Sequence, residues 1–357
     1  MTSLFKNRIL EEDLNSLVNK NIDYKKMENS TVLVTGATGL IGVSFVRSLI
    51  YLNQKENLNI HIILLIRNAE KARRIYGELL SFDYISIIST DISLKITIDS
   101  SIDYIIHCAS VTSSKMMIDK PVETIVTSVY GTKNILDLAK EKKCKSVVYI
   151  SSMEMYGTIE GDNTVAEEDL GYIDPLKVRS NYPESKRLCE NMCIGYLNEY
   201  NVPVKIARLS QTFGAGILDG ENRIFAQFAK CVVNNENIVL HTDGSSEGNY
   251  CYLSDCLLGL YTILLYGNDG EAYNVVNDST HTTIRDMAEM VCRDIANGRI
   301  QVVYDIDCNN KFGYASKTKL KLTGKKLMSL GWKPEVDLQT SYVRLIQSLI
   351  EKKEKGE

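Results

Sequence analysis

Along the first half of the chain, short runs of apolar and β-branched residues alternate with stretches whose apolar positions recur at helical spacing. Thr31-Val-Leu-Val34, Ile60-His-Ile-Ile-Leu-Leu-Ile66, Tyr84-Ile-Ser-Ile-Ile88, Tyr104-Ile-Ile-His-Cys-Ala109 and Ser146-Val-Val-Tyr-Ile150 read as buried strands. Helical stripes fall between them, from Leu40 to Leu52 and from Val122 to Glu141. Such alternation describes βαβ units, and these predict an α/β fold: a doubly wound parallel Rossmann sheet with helices on both faces. Farther on, Tyr182 starts a helix whose apolar face continues through Leu188, Met192, Ile194 and Leu197. Val204 to Leu209 follows as a strand, then a helix from Arg223 to Val233, a short strand at Val239-Leu240 and a helix from Leu253 to Tyr266. Gly331-Trp332-Lys-Pro334 breaks the chain before a last helix, and the lysine-rich tail from Lys352 reads as a frayed, solvated end. Ahead of the first strand, Leu4, Leu10, Leu14, Leu17 and Val18 predict an amphipathic helix over 3–19, an appendage to the rest.

With only five prolines and no linker, any second domain must be interwoven with the first. The expected organisation is an N-terminal helical extension over 1–28 and a dinucleotide-binding Rossmann domain over 29–207, to which 249–276 return. A smaller α/β substrate-binding domain would comprise 208–248 and 277–357.

The turn after the first strand carries the first chemical signal. Gly36, Gly39 and Gly42 lead from a buried strand into a helix. The first permits a tight turn, the second lets a pyrophosphate approach the backbone, and the third lets helix and sheet pack closely. Phosphates would then sit on the amides and positive dipole end of the helix, beside Thr38, Leu40 and Ile41. Asp91 and Ile92 after the third strand, and Ala109 and Ser110 after the fourth, would complete the cofactor groove. The second strand ends in Arg67 rather than an acidic residue, with Lys71, Arg73 and Arg74 beyond it. A carboxylate there binds the ribose 2′-hydroxyl of NAD, whereas a guanidinium suits a 2′-phosphate. The cofactor is therefore NAD or NADP, with a slight lean to NADP; the bland alternative is a solvated basic loop.

Composition narrows the partners. A formal net charge of −4 offers no basic field for nucleic acid. Nine cysteines without a C-x-x-C pair read as reduced core thiols, and the four histidines lack metal-ligand spacing, so no metal is expected. No signal-peptide core precedes the first strand and no long apolar span follows, so the expected location is the cytoplasm, away from membranes. His107, at the end of an apolar strand, reads as a core residue.

Tyr182 and Lys186 lie one helical turn apart and share a face. An ammonium beside a phenol favours the phenolate, lowering a pKa that is ordinarily about 10 toward the range of a general base. Upstream, the strand ending at Ile150 runs out into Ser151-Ser152-Met153-Glu154-Met155-Tyr156-Gly157 at the carboxyl edge of the sheet, where ligands bind in such folds.

Here the chain resembles the extended short-chain dehydrogenase/reductase family, in its nucleotide-sugar epimerase, dehydratase and decarboxylase group. The resemblance runs from about Thr31 to about Ile350. It rests on Thr35-Gly-x-x-Gly-x-x-Gly42, His107-Cys-Ala-Ser110, Gly131-Thr132, Ser151-Ser-x-x-x-Tyr-Gly157, Tyr182-x-x-x-Lys186, Arg208-x-x-Gln-Thr-Phe-Gly214 and Gly331-Trp-Lys-Pro334. It implies an enzyme acting on a nucleoside-diphosphate sugar. Tyr182 would be the base and acid, Lys186 would hold the nicotinamide ribose, and Ser152 would support the hydroxyl being oxidised. The sugar would pass through a 4-keto species, then be epimerised, dehydrated or decarboxylated, and epimerisation is placed first. Rival readings are an NADPH-dependent keto-sugar reductase and a dinucleotide-sensing regulatory protein.

Some positions divide or depart from the relatives. Similar dehydratases carry an acid where Met153 stands, and a thioether donates no proton; Glu154 is kept, as in similar decarboxylases, for chemistry at C5. A Gly-Ser-x-x-Arg stretch that usually binds the diphosphate reads Gly244-Ser-Ser-Glu-Gly248 here, leaving Arg223 for that task. Gln211 replaces a usual Asn, and Thr112 is a further expected substrate contact. The helices near 122–141 and 183–200 resemble those that pair in family dimers, so a homodimer is expected.

Overall fold

Seven strand-forming runs can satisfy their backbone groups only by pairing with one another, and they form one parallel sheet, largely buried except for its edge run Ile85–Ser89, which is only partly covered. In a computed structural model describing residues 5–306 and 319–356, these are β1 (Thr31–Thr35), β2 (His61–Ile66), β3 (Ile85–Ser89), β4 (Tyr104–His107), β5 (Ser146–Ser152), β6 (Val204–Leu209) and β7 (Ala272–Val275). Their order is β7-β6-β5-β4-β1-β2-β3, every neighbouring pair parallel. The chain moves outward in opposite directions from β1 and β4, so a crevice opens at the carboxyl ends of these two strands, where Thr35 pairs with His107.

The main helices are α1 (Arg8–Val18), α2 (Leu40–Glu56), α3 (Pro121–Lys142), α4 (Asn181–Tyr200), α5 (Ile224–Asn234), α6 (Leu253–Tyr266) and α7 (Leu338–Glu354). Proline opens α3 at a position that needs no amide donor. Helices α2, α4 and α5 end on Asn57, Asn201 and Asn235 in the left-handed region, a role more often given to glycine. The basic residues after Arg67 lie on a short helix, Ala69–Tyr76, rather than in a loop.

Apolar layers cover both faces of the sheet, one packed beneath α2 and α6 and one beneath α3 and α4. A separate core gathers Phe213, Phe225, Tyr250 and Tyr342 between α5 and α7, with the Phe213 and Phe225 rings stacked at 4.9 Å. Short strand pairs surround it: Gln211–Phe213 with Tyr250–Tyr252, Ile238–Leu240 with Val302–Tyr304, and Glu247–Gly248 with Thr282–Thr283.

Three local expectations need correction. The N-terminal helix is not an appendage: the buried Asp13 accepts hydrogen bonds from Tyr252 Oη at 2.6 Å and Arg344 Nε at 2.9 Å, clasping α1 to the molecule's centre and to α7. Burial pushes the Asp13 carboxyl up to about 6. Nor is the tail frayed at Lys352: α7 runs on to Glu354, with Lys352 paired to Asp219 and Lys355 to Glu351.

The third correction concerns α4. Leu188 and Ile194 face outward, 50% and 39% exposed, and the buried face carries Tyr182, Ser185, Lys186, Cys189, Glu190 and Cys193. Polar residues take that face because it meets the end of β5, where backbone and side-chain partners wait for them.

Among the described residues, no helix is long and apolar enough to cross a membrane, and no cluster of His, Cys, Asp and Glu could hold a metal. Eight cysteines are free thiols; Cys308 lies outside the described residues.

Candidate active site

The turn out of β1 is built for close approach. Gly36 has φ +62°, and a Cβ there would lie 2.8 Å from the Ala109 backbone at the end of β4. A Cβ on Gly42 would run into the Gly36 carbonyl and lie 2.9 Å from Ala37 Cα. Gly39 is exposed and caps α2 without any side-chain hydrogen bond, and no acidic residue occupies the first turn. The leading amides of α2 are thus left to an anion, which fits a pyrophosphate beside Thr38, Leu40 and Ile41. Ser110 Oγ, at the next strand end, is buried with no hydrogen-bond partner and so offers a contact to a bound group.

Around this turn the strand ends are fixed by a buried chain of hydrogen bonds. His107 Nδ1 lies 2.7 Å from Thr35 Oγ1, its Nε2 lies 3.1 Å from Thr132 Oγ1, and Thr35 Oγ1 also accepts from the Ala109 amide. Burial and the Lys186 charge push the imidazole down to about 3, so His107 is a neutral core residue. Ile92 packs against Gly131, where a Cβ would lie 2.9 Å from Ile92 Cγ2. Asp91 bonds Ser93, which together with Arg67 holds its carboxyl low. Arg67 itself is exposed at the end of β2.

Ser152, Glu154, Tyr182 and Lys186 meet at the end of β5. The Ser152 hydroxyl accepts from the Glu154 amide at 3.2 Å and, beside the Tyr182 phenol, favours its ionised form. Lys186 is buried; its Nζ donates to the Ile150 carbonyl at 2.7 Å and lies 5.6 Å from the Tyr182 ring centroid. The expected low phenol pKa is not what this geometry produces. Burial pushes the Tyr182 phenol up, the Glu154 charge adds to the rise, and Ser152, Arg179 and Arg223 only partly oppose it. In the unliganded chain the phenol is therefore held neutral, and the base is not preformed.

The amine pays the same kind of burial penalty, which pushes Lys186 down from 10.5 to about 8. Between those two values the unfolded chain binds more protons than the folded one, so folding stability gains as pH rises across that window. Relative to a Lys186→Met variant, the wild type should gain up to about 3 kcal/mol from pH 8 to 10.5. Urea unfolding of both proteins across the range checks this, and a flat difference would contradict the buried amine.

The loop carrying this chemistry is tightly held. Arg187 donates to the carbonyls of Met155, Tyr156 and Gly171. Beneath it, Arg208 pairs with Glu190 at 2.7 Å, and Glu190 also accepts from Ser151 Oγ. Neither Arg187 nor Glu190 stands out by spacing alone. The same holds for Arg179, which lies three residues before Tyr182: its Nη2 donates to Glu154 Oε1 at 3.1 Å and Oε2 at 2.9 Å.

The expected substrate contacts are less tightly grouped. Met153 and Gln211 are half-buried, and Gln211 pairs with Tyr250 along a short strand. Arg223 caps α5 and pairs with Glu221 at 2.6 Å, yet its charge reaches Tyr182. Thr112 is exposed. Gly248 has open space where a side chain would be, its nearest neighbour the Leu320 carbonyl at 4.0 Å.

Residues 32–277 match the sequence model of the NAD dependent epimerase/dehydratase family. UDP-glucuronic acid decarboxylase 1 of Danio rerio is 27% identical over 322 residues, covering 90% of this chain and 72% of that protein. UDP-glucuronic acid decarboxylase 3 of Arabidopsis thaliana is 27% identical over 314 residues, covering 87% and 86%. Among solved structures, an epimerase from Methanothermobacter thermautotrophicus superposes with a TM-score of 0.77 at 20% identity, covering 98% of this chain and 97% of that one. A dTDP-glucose 4,6-dehydratase from Streptomyces venezuelae, solved with NAD and TYD bound, gives 0.72 at 21% identity, covering 91% and 98%. At these identities the structural likeness is one of fold.

Proposed function

Since the chain belongs to the NAD-dependent epimerase/dehydratase family, we propose that it oxidises C4 of a nucleoside-diphosphate uronic acid and decarboxylates the sugar at C5. The observation that carries this reading is the pair Met153-Glu154 beside Ser152 and Tyr182. Dehydration needs a proton donor for the leaving hydroxyl, and Met153 supplies none. Carbon dioxide leaves without such a donor, while Glu154 remains at hand for C5. Simple 4-epimerisation asks nothing of Glu154, so the order expected from sequence alone is reversed; the names of the similar decarboxylases point the same way. The stretch 244–248 presents no arginine to the substrate diphosphate, a departure from the similar decarboxylases that leaves that group to Arg223.

NAD would be held by the Gly36–Gly42 turn, Ser110 and Lys186, and would supply a hydride acceptor and donor for C4. The family description favours NAD over the NADP that Arg67 suggests. Tyr182, its own phenolic proton first given up to solvent, takes the C4 hydroxyl proton while Ser152 supports that oxygen. The ketone makes the C5 carboxylate a β-keto acid. Its carbon–carbon bond breaks, carbon dioxide leaves, the electron pair moves into the C4 carbonyl to give an enolate, and a proton drawn from solvent passes by way of the Glu154 carboxylate to C5. Tyr182 then returns its proton to the C4 oxygen as the ketone is reduced.

The test is incubation with UDP-glucuronate, following carbon dioxide and product mass. An unchanged mass would establish epimerisation instead, and a gain of two hydrogens reduction. We also infer a homodimer through α3 and α4, whose exposed Val122, Tyr130 and Leu188 form an apolar face. A monomeric mass in light scattering would refute it.

A further inference from the structure

Arg179 is placed to do more than hold Glu154. Its side chain is 25% exposed, and a single nitrogen, Nη2, makes both contacts to the carboxylate. Among the described residues, Nε and Nη1 have no hydrogen bond, so donors of a rigid fork remain unused. The guanidinium carbon lies 5.9 Å from the centroid of the Tyr182 ring. A cation thus stands between the proposed base and the proposed C5 acid. In Arg208 the fork is spent on Glu190, Tyr156 and a carbonyl, and in Arg223 it is spent on Glu221. Arg223 keeps only Nη1 unbonded among the described residues, whereas Arg179 keeps both Nε and Nη1 and is the one of the three that contacts Glu154.

A ring carbon oxidised at Tyr182 has its C5 substituent only two bonds away. A carboxylate there offers the same planar acceptor that Glu154 now provides, and two carboxylates cannot share one guanidinium without competing. We propose that Arg179 is the specificity determinant for the C5 carboxylate: the substrate's carboxylate takes the guanidinium from Glu154 and releases Glu154 for its task at C5. A sugar with a hydroxymethyl group at C5 cannot make this exchange, so Glu154 stays pinned. This rests on the uronate reading above, and the tests separate the two.

Calorimetric binding of UDP-glucuronate and UDP-glucose to the purified, dinucleotide-loaded protein reads the exchange without turnover. Arg179→Met should weaken UDP-glucuronate at least about tenfold and leave UDP-glucose within about twofold. Arg179→Lys should fall between, keeping the charge but losing the fork. Glu154→Gln removes the internal competitor and should tighten UDP-glucuronate several-fold. Equal weakening of both ligands by Arg179→Met, or weaker UDP-glucuronate binding in Glu154→Gln, would overturn the proposal by making Arg179 a structural prop. Undiminished decarboxylation in Arg179→Met would overturn it while leaving the uronate reading intact. Arg179-dependent uronate binding with no carbon dioxide released would do the reverse.

Discussion

Tyr182→Phe keeps the fold and the bound dinucleotide and loses nearly all turnover. The side chain is 7% exposed, and phenylalanine fills the same space, so packing changes little. What is lost is the hydroxyl beside Ser152 that exchanges a proton with the sugar in the proposed reaction. Positioned acid–base groups contribute about 10²–10⁴-fold, and a group used both in oxidation and in the return step lies at the upper end. Steady-state rates on UDP-glucuronate, with thermal unfolding as the control for fold, measure this. A loss of less than about tenfold, or about 1.4 kcal/mol of barrier, would remove Tyr182 from its role.

For Glu154→Gln the expected result is a divorce of the two carbons. C4 oxidation should continue, because Ser152, Tyr182 and Lys186 are untouched, while proton delivery to C5 fails. Product release should fall by about 10²-fold or more, with reduced dinucleotide accumulating at its characteristic absorbance during a single turnover. If no reduced dinucleotide forms, Glu154 serves C4 as well, and the division of labour between the two residues is wrong.

The parallel sheet, its glycine turn and the Tyr182–Lys186 pair are legible because each is local: a β-branched run, three glycines at fixed spacing, one turn of helix; Ser152, thirty residues upstream, is reached only through the family resemblance. What the chain concealed depends on distant partners or on competing energies. Asp13 is an unremarkable helix acid until Tyr252 and Arg344, 239 and 331 residues away, close on it. Arg179 lies in a stretch with no apolar period, so nothing local marks it as facing Glu154. The Tyr182–Lys186 spacing brings the two side chains to one face, but charge alone predicts the opposite sign of the phenol shift, since burial outweighs a neighbouring ammonium that is turned toward Ile150. Leu188 and Ile194 misled because apolar spacing cannot say whether a face meets the chain's own core or solvent.

That reversal on α4 separates two kinds of evolutionary freedom. Tyr182, Lys186 and Glu190 follow one another at successive turns, so one inserted or deleted residue among them would rotate everything beyond it by about 100° and dismantle the site. Lineages can therefore vary this segment by substitution but not by length. The outward positions, Leu188 and Ile194 among them, carry no such restriction and can drift while the opposite face is inherited unchanged.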